Sequence, residues 1–274
     1  MKKTWAAWPY VFWMVIFTVI PLFLLLYFSF TVKDGSTVAF SFANFQRLFE
    51  PVYFKVLFRS LVLAGISTFF CLFLGYPVAF ILAGRSFRRK NTMILLLVLP
   101  MWMNFLLRTY AWLTLLERKG LINTVLVHLG LQPLNLLYND FAVTLGMVYN
   151  FIPFMILPIY SVMSKIDRSL VEAAEDLGAN PLAVFWRVTF PLSLPGVLSG
   201  ITMVFMPAVT TFVISRLLGG GQYTLIGNLI EQQFLTVGDW NFGSAISVLM
   251  MLIILVSMAF TSRYEKEQEG SGLW

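Results

Sequence analysis

The chain has 274 residues, 59% of them hydrophobic and only 12% charged, about half the charged share of an ordinary soluble domain. With a mean hydropathy of +0.81, this excludes a soluble globular domain and makes the chain an integral membrane protein. The net charge of +6 then reads as loops enriched in Lys and Arg on the cytoplasmic side rather than as a nucleic-acid surface, and one cysteine (Cys71) with one histidine (His128) gives neither an internal disulfide nor a Cys/His metal cluster.

Uncharged runs locate the spans in chain order: 4–32, 60–84, 91–107, 141–164, 188–215 and 240–262. A helix needs roughly 20 apolar residues to cross a hydrocarbon core of about 30 Å. Five runs meet that alone, and the third does so if it continues past Arg108 to Leu116. Six spans follow, with both termini on one side. The first run is too long for the apolar part of a secretory signal and no small-residue cleavage site follows it, so it is expected to remain as a span. Lys2, Lys3 and the cluster "RSFRRK" (85–90) are expected in the cytoplasm by the positive-inside rule, which puts 164–187 and the tail inside and 33–59, 117–140 and 216–239 outside. The tail, "RYEKEQEGSGLW", is mixed in charge and expected to fray.

Two outer loops carry helical stripes too short to span. "GLINTVLVHLG" aligns Leu121, Ile122, Val125, Leu126 and Leu129 before Gly130, and "TLIGNLIEQQFL" aligns Leu225, Ile226, Leu229, Ile230 and Phe234. Both predict interfacial or re-entrant helices, with His128 as a polar tip.

Between the fourth and fifth spans lies "SLVEAAEDLGANPLAVFWRVTFPL" (169–192), a polar helix-turn-helix. Asp167 can cap its first helix, Gly178 suits a left-handed C′ position, and Asn180 with Pro181 caps and starts a second helix. Ala173 and Ala174 leave a low surface between acids. Leu182, Val184, Phe185 and Trp186 are more apolar than a solvated connector needs.

This stretch resembles the EAA loop of type I ABC-importer permeases: Glu-Ala-Ala, three residues, Gly, nine residues, Ile-x-Leu-Pro. Glu172, Ala173, Ala174, Gly178 and Pro191 match, with Val188 for the Ile and Phe190 for the Leu. "LPMWMNFLLRTYAWLTLL" (99–116), "NFIPFMILPIYSVMSKIDRSLVEAAEDLGA" (150–179), "LLGGGQYTLIGNLIEQQFL" (217–235) and "DWNFGSAIS" (239–247) extend the likeness to the PotB-type permeases of spermidine/putrescine importers over nearly the whole chain.

The resemblance implies an all-α, six-span permease fold of the MetI-like type in a bacterial cell membrane, surrounded by lipid. It implies a first span and outer loop at 1–58, a permease domain at 59–262 and a cytoplasmic tail at 263–274. The EAA loop would be the coupling helix that docks on an ATPase. The implied partners are a second, PotC-type permease, two PotA-type ATPases and a PotD-type extracytoplasmic binding protein. The chain has no Walker-type glycine loop, so ATP and Mg are expected on the ATPase, with no cofactor or catalysis here.

A polyamine path needs water, carboxylates or aromatic faces, and all 13 acids lie in loops or at span ends. Candidate path residues are therefore Trp102, Asn104, Tyr110 and Trp112 on span three, Tyr149 and Asn150 on span four, and Thr210, Thr211 and Ser215 on span five; a cation over an aromatic face gains about 0.5–2 kcal/mol. Arg108 could snorkel, pair with a partner's carboxylate or bind an anion. Arg216 with Gly219, Gly220 and Gly221 is a candidate outer gate. Pro153, Pro158 and Pro207 are expected to bend their spans. An ABC permease for ferric iron or an anion such as sulfate, and an ion channel, are the competing readings. A channel would show a filter loop or charged ring, and an intramembrane enzyme would show paired acids or histidines within spans; neither pattern is present.

Overall fold

A computed structural model describes residues 8–34, 37–84, 90–221 and 224–271. Lys2, Lys3 and Arg85–Arg89, which carry most of the orientation argument, lie outside the described residues. The spans are helices: α1 (Trp8–Ser29), α3 (Pro51–Ala83), α7 (Asp140–Met163), α9 (Pro181–Thr210) and α12 (Trp240–Ser271), plus a broken pair, α4 (Lys90–Trp102) and α5 (Phe105–Leu116). Five helices are long and apolar enough to cross a membrane, or six if the broken pair is one span.

α7 lies at the centre, between α3 and α9. Close approach is set by small residues, the usual device where the hydrophobic effect cannot drive helix association. Gly196 and Gly200 form a Gly-x-x-x-Gly face on α9. A Cβ at Gly196 would lie 2.9 Å from the Ile159 Cα and Pro158 carbonyl of α7, and one at Gly200 would lie 2.7 Å from Met155 Sδ. Ala142, Val143, Met147, Met155 and Ile159 fill the centre of this bundle.

α1 is peripheral: no part of its apolar window is buried, and it lies along α12. Only its C-terminal end is gripped. Asn44, on α2 (Ala43–Leu48), donates from Nδ2 to the carbonyls of Ser29 (3.2 Å) and Thr31 (2.9 Å). Asn241 donates to those of Phe28 (3.0 Å) and Thr31 (2.7 Å). Nearby, Arg47 pairs with Asp239 at 2.8 Å with its guanidinium 4.1 Å from the centre of the Phe242 ring. Asp239 also caps α12 by accepting from the Phe242 N–H at 3.0 Å. Residues 33–59, expected as an outer loop, are more ordered than a connector. They hold α2 and an antiparallel hairpin, β1 (Thr31–Asp34) with β2 (Thr37–Phe40), Thr31 opposite Phe40.

Two further differences concern helix ends. α3 begins at Pro51, nine residues before the uncharged run, because Lys55 and Arg59 sit on its first turns, where long cations reach the interface. The 58/59 division therefore falls within one helix. At the other end of the chain, α12 continues to Ser271, so residues 263–271 are helical. Glu, Lys and Gln, which dominate there, are good helix formers.

Neither the third nor the fifth span is continuous. The third bends by 93° between Trp102 and Phe105. α4, with 13 residues, is only about 20 Å long. The fifth breaks at Thr211–Phe212 and resumes as α10 (Val213–Leu218), which packs on α5 and α7. The two predicted loop helices are present as α6 (Leu121–His128) and α11 (Ile226–Gln232), the second running on into a wider π turn at Gln233–Val237. Pro153, Pro158 and Pro207 lie inside their helices as expected.

Candidate functional site

The motif loop folds as its caps dictate. Asp167 accepts the Ser169 N–H at 3.0 Å and starts α8 (Arg168–Asp176). That backbone hydrogen bond holds the Asp167 carboxyl below its ordinary range. The cap's contribution is thus present above the ordinary carboxylate pKa and is lost as pH falls through the lowered one. Gly178 sits at φ +83°, the left-handed C′ conformation. Asn180 Oδ1 accepts the Ala183 N–H at 2.8 Å, and Pro181 opens α9. Pro191 has no N–H to offer the Arg187 carbonyl. The preceding turn, Phe185–Thr189, widens into a π turn closed by the Phe190 N–H on the Phe185 carbonyl. Pi turns of this kind recur at functional sites.

What α8 touches matters as much as how it starts. None of its residues is buried, and a nine-residue helix is marginal in water by itself. Glu172 and Ala173 are exposed and Ala174 half-buried. Leu170, Leu182 and Trp186 are exposed, and Leu177 is 89% exposed. Together they make an exposed apolar face rimmed by acids. Behind it, a cleft of about 450 Å³ separates α8 from the bundle, with Phe80, Met163, Val171, Glu172, Glu175 and Phe185 in its wall.

The link from loop to bundle was not visible in sequence. Phe185 stacks edge-on against Tyr76 (5.9 Å) and Phe80 (5.8 Å) of α3, and Tyr76 shares a 2.9 Å hydrogen bond with Ser193 of α9. This cluster joins the loop to both α3 and α9. The available signal was a tyrosine and a serine standing alone in apolar runs, each of which needs a partner when buried.

The candidate path residues divide into those inside the protein and those on its surface. Arg108, Trp112 and Tyr149 come together: the Trp112 and Tyr149 rings are 5.2 Å apart, and the Arg108 guanidinium is 5.9 Å from the Tyr149 ring centre. Arg108 is only 9% exposed, so it does not snorkel. Its Nη1 donates to the Pro100 carbonyl at 2.8 Å, across the bend. A cation there adds a second donor to a carbonyl that already accepts the Met103 N–H at 3.2 Å, and it meets the negative end of α4. This use was not among those expected. Its Nε is buried without a partner.

Asn104 is a helix cap rather than a free amide: its Oδ1 accepts from Leu106 (2.8 Å) and Leu107 (3.4 Å) at the start of α5. Asn150 is likewise turned inward, donating to the Gly146 carbonyl at 2.8 Å, with its Oδ1 buried and unpaired. Trp102, 77% exposed, and Tyr110, half exposed, face out of this chain beside the bend. Thr210 bonds back to Met206 at 3.1 Å, and Thr211 is buried in the second break. The start of α11 lies against this break, for a Cβ at Gly227 would strike the Thr210 and Thr211 carbonyls.

The glycine run is less open than expected. Arg216 pairs with Glu231, and Ser215 with Asn228, which also donates to the Phe212 carbonyl at 2.8 Å. Gly219 ends α10 at φ −89°. Gly220 and Gly221 are left-handed, and Gly220 lies against the Tyr138 ring, where a side chain would collide. Gly220 and Gly221 form a turn whose first residue lies against Tyr138.

Among the described residues no group of three or more His, Cys, Asp or Glu could hold a metal. The profile of the family described as "Binding-protein-dependent transport system inner membrane component" matches residues 1–268. The chain is 42% identical over 253 residues to the spermidine/putrescine transport system permease protein PotB of Haemophilus influenzae, covering 89% of this chain and 88% of that one. It is 39% identical over 247 residues to the protein of the same name from Escherichia coli, covering 88% and 90%. Its fold matches a chain of a bacterial ABC transporter that imports the acidic polysaccharide alginate, with a TM-score of 0.78 at 19% identity and 96% of both chains covered. A second alginate structure, in complex with an alginate pentasaccharide-bound periplasmic protein, matches at 0.79 and 18%, covering 97% of this chain and 96% of that one.

Proposed function

The chain belongs to the binding-protein-dependent transport system inner membrane components, and on that footing we propose that it is the permease subunit of an ATP-driven importer of spermidine and putrescine. The observation that carries the transport half of the reading is α8, a capped helix with no buried residue of its own. The exposed acids of α8 and the exposed leucines of the loop, Leu170, Leu177 and Leu182, fit the groove of an ATPase subunit. The polyamine half rests on the two PotB relatives.

In this reading the subunit does no chemistry. A second permease completes the path, two ATPase copies bind ATP and Mg, and an extracytoplasmic binding protein delivers the solute. ATP binding draws the two α8 loops together. The motion passes through Phe185 and Tyr76 into α3 and α9, and the bundle turns from inward-open to outward-open. Trp102 and Tyr110, exposed on this chain beside the bend, offer aromatic faces to the cation.

Arg108, occupied by the Pro100 carbonyl, is a brace rather than a barrier to cations. Its unpartnered Nε is the one feature that favours an anionic solute instead. Uptake of labelled spermidine by the reconstituted transporter, with sulfate, phosphate and ferric citrate as competitors, separates the two. Trp102→Ala should lower spermidine uptake several-fold with assembly intact. Arg108→Gln should lower thermal stability without changing solute choice. Uptake of an anion, abolished by Arg108→Gln, with no spermidine transport, would overturn the polyamine reading and leave the permease standing.

Both termini are assigned to the cytoplasm, with α8 on the same side. A cysteine at Ser86, in a chain lacking Cys71, should react only with membrane-permeant thiol reagents in intact cells. One at Gln132 should react with impermeant reagents, and the reverse pattern would invert the topology.

A further inference from the structure

Away from both the loop and the path, α3 and α7 part at the ends that carry Lys55 and Asp140. The groove between them holds about 540 Å³, and its walls are Phe58, Val62, Ile66 and Phe70 of α3 with Phe141 and Thr144 of α7. Phe58, Val62, Ile66, Phe70 and Phe141 are all exposed. None of them belongs to the coupling loop or to the bend. The α3 residues recur every three or four positions, so they form one stripe. From Phe58 to Phe70 the stripe is about 18 Å long, close to the half-thickness of a ~30 Å hydrocarbon core.

The groove has a charged head. Lys55 and Arg59 stand four residues apart on the same face. Arg59 is held toward α7 by its ion pair with Asp140. Lys55 lies in the groove's mouth and makes no ion pair among the described residues. Two cations and one acid leave a net charge of +1 over an apolar slot one leaflet deep. A docked protein helix would have to bring its own acid to the same level.

We propose that this groove is a phospholipid site: one acyl chain lies along Phe58, Val62, Ile66 and Phe70, and the headgroup phosphate is held by Lys55 with Arg59 beside it. Charge complementarity chooses the ligand, since a phosphodiester carries one negative charge and several acceptor oxygens. The apolar length sets the chain. Occupancy would tie the end of α3 to α7 at the membrane surface, at the opposite end of α3 from Phe80 and the loop.

Native mass spectrometry of the transporter containing the full chain tests this, with palmitoyl-oleoyl phosphatidylglycerol, dioleoylglycerol and inorganic phosphate as probes. The wild type should retain the phospholipid. Lys55→Gln should weaken retention about fivefold, the worth of one cation at a lipid surface, while Lys55→Arg keeps it. Ile66→Trp, an outward substitution that fills the slot, should abolish it. Equal retention in Lys55→Gln and Ile66→Trp overturns the site. So does retention of dioleoylglycerol as strong as that of the phospholipid, because the phosphate would then be irrelevant. Binding of inorganic phosphate that Ile66→Trp leaves unchanged would mean a free-ion site. Disulfide capture of Val62→Cys by the second permease would mean that protein, not lipid, fills the groove.

Discussion

Gly178→Val is expected to weaken capture of the ATPase about five- to thirtyfold while leaving the chain itself in the membrane at its usual level. At φ +83° the residue occupies a conformation that costs an L-amino acid roughly 1–2 kcal/mol, more for a β-branched one, and 1–2 kcal/mol is a factor of about 5–30 in an equilibrium. A Cβ there meets nothing within 4 Å, so the cost is one of backbone rather than of collision. It falls on a loop with no buried residue in its first helix, so the bundle has no reason to unfold. Gly178→Asn should recover most of the loss, because Asn tolerates the left-handed region. Glu172→Lys, which reverses a charge on the exposed face, should allow ATP hydrolysis but reduce uptake. The measurements are pull-down of the ATPase and solute uptake in vesicles. Unchanged capture in Gly178→Val together with unchanged uptake in Glu172→Lys would remove the coupling assignment.

Gly196→Leu is expected to do the opposite: to destroy the protein rather than its coupling. The added Cβ would sit 2.9 Å from two backbone positions of α7, Ile159 Cα and the Pro158 carbonyl, and backbone inside a bundle cannot move aside as a side chain can. Overpacking of this kind costs about 1–3 kcal/mol and sometimes more, and here it acts on the close contact between α7 and α9. Little folded protein should survive detergent extraction, and what does should melt several degrees lower. Gly65→Leu is the control, since a Cβ at Gly65 meets nothing within 4 Å. Equal yields and melting points for the two variants would show that the α7–α9 contact does not carry the bundle.

The apolar spans were legible because charge is so costly in lipid that uncharged runs mark them directly. The coupling loop was legible at the level of single caps, since Asp167, Gly178, Asn180 and Pro181 each have a local reason to stand where they do. The breaks were not. Met103–Asn104 and Thr211–Phe212 lie within uncharged stretches, so counting charges passes over them. Pro100 and Pro207 precede the two breaks by only a few residues, but prolines also sit at 77, 153, 158 and 195 inside helices that continue. Arg108 was visible as an anomaly, yet its use could not be read. The Pro100 carbonyl comes within its reach only because the chain bends after Trp102. The groove at Lys55 was hidden for a related reason, because the uncharged run began after the charges that crown it.

The grip on the first span has a consequence for how the protein is made. Phe28 and Thr31 are held by Asn241, 213 and 210 positions along the chain. A ribosome adding about 5–20 residues per second needs roughly 10–40 s to cover that distance. For that interval this helix has met neither α12 nor Asn241, and Asn44 alone, 13 and 15 positions from the carbonyls it holds, can grip its end. Completion of the chain therefore supplies the second half of the grip, and a nascent chain stalled before Trp240 holds that helix by Asn44 only.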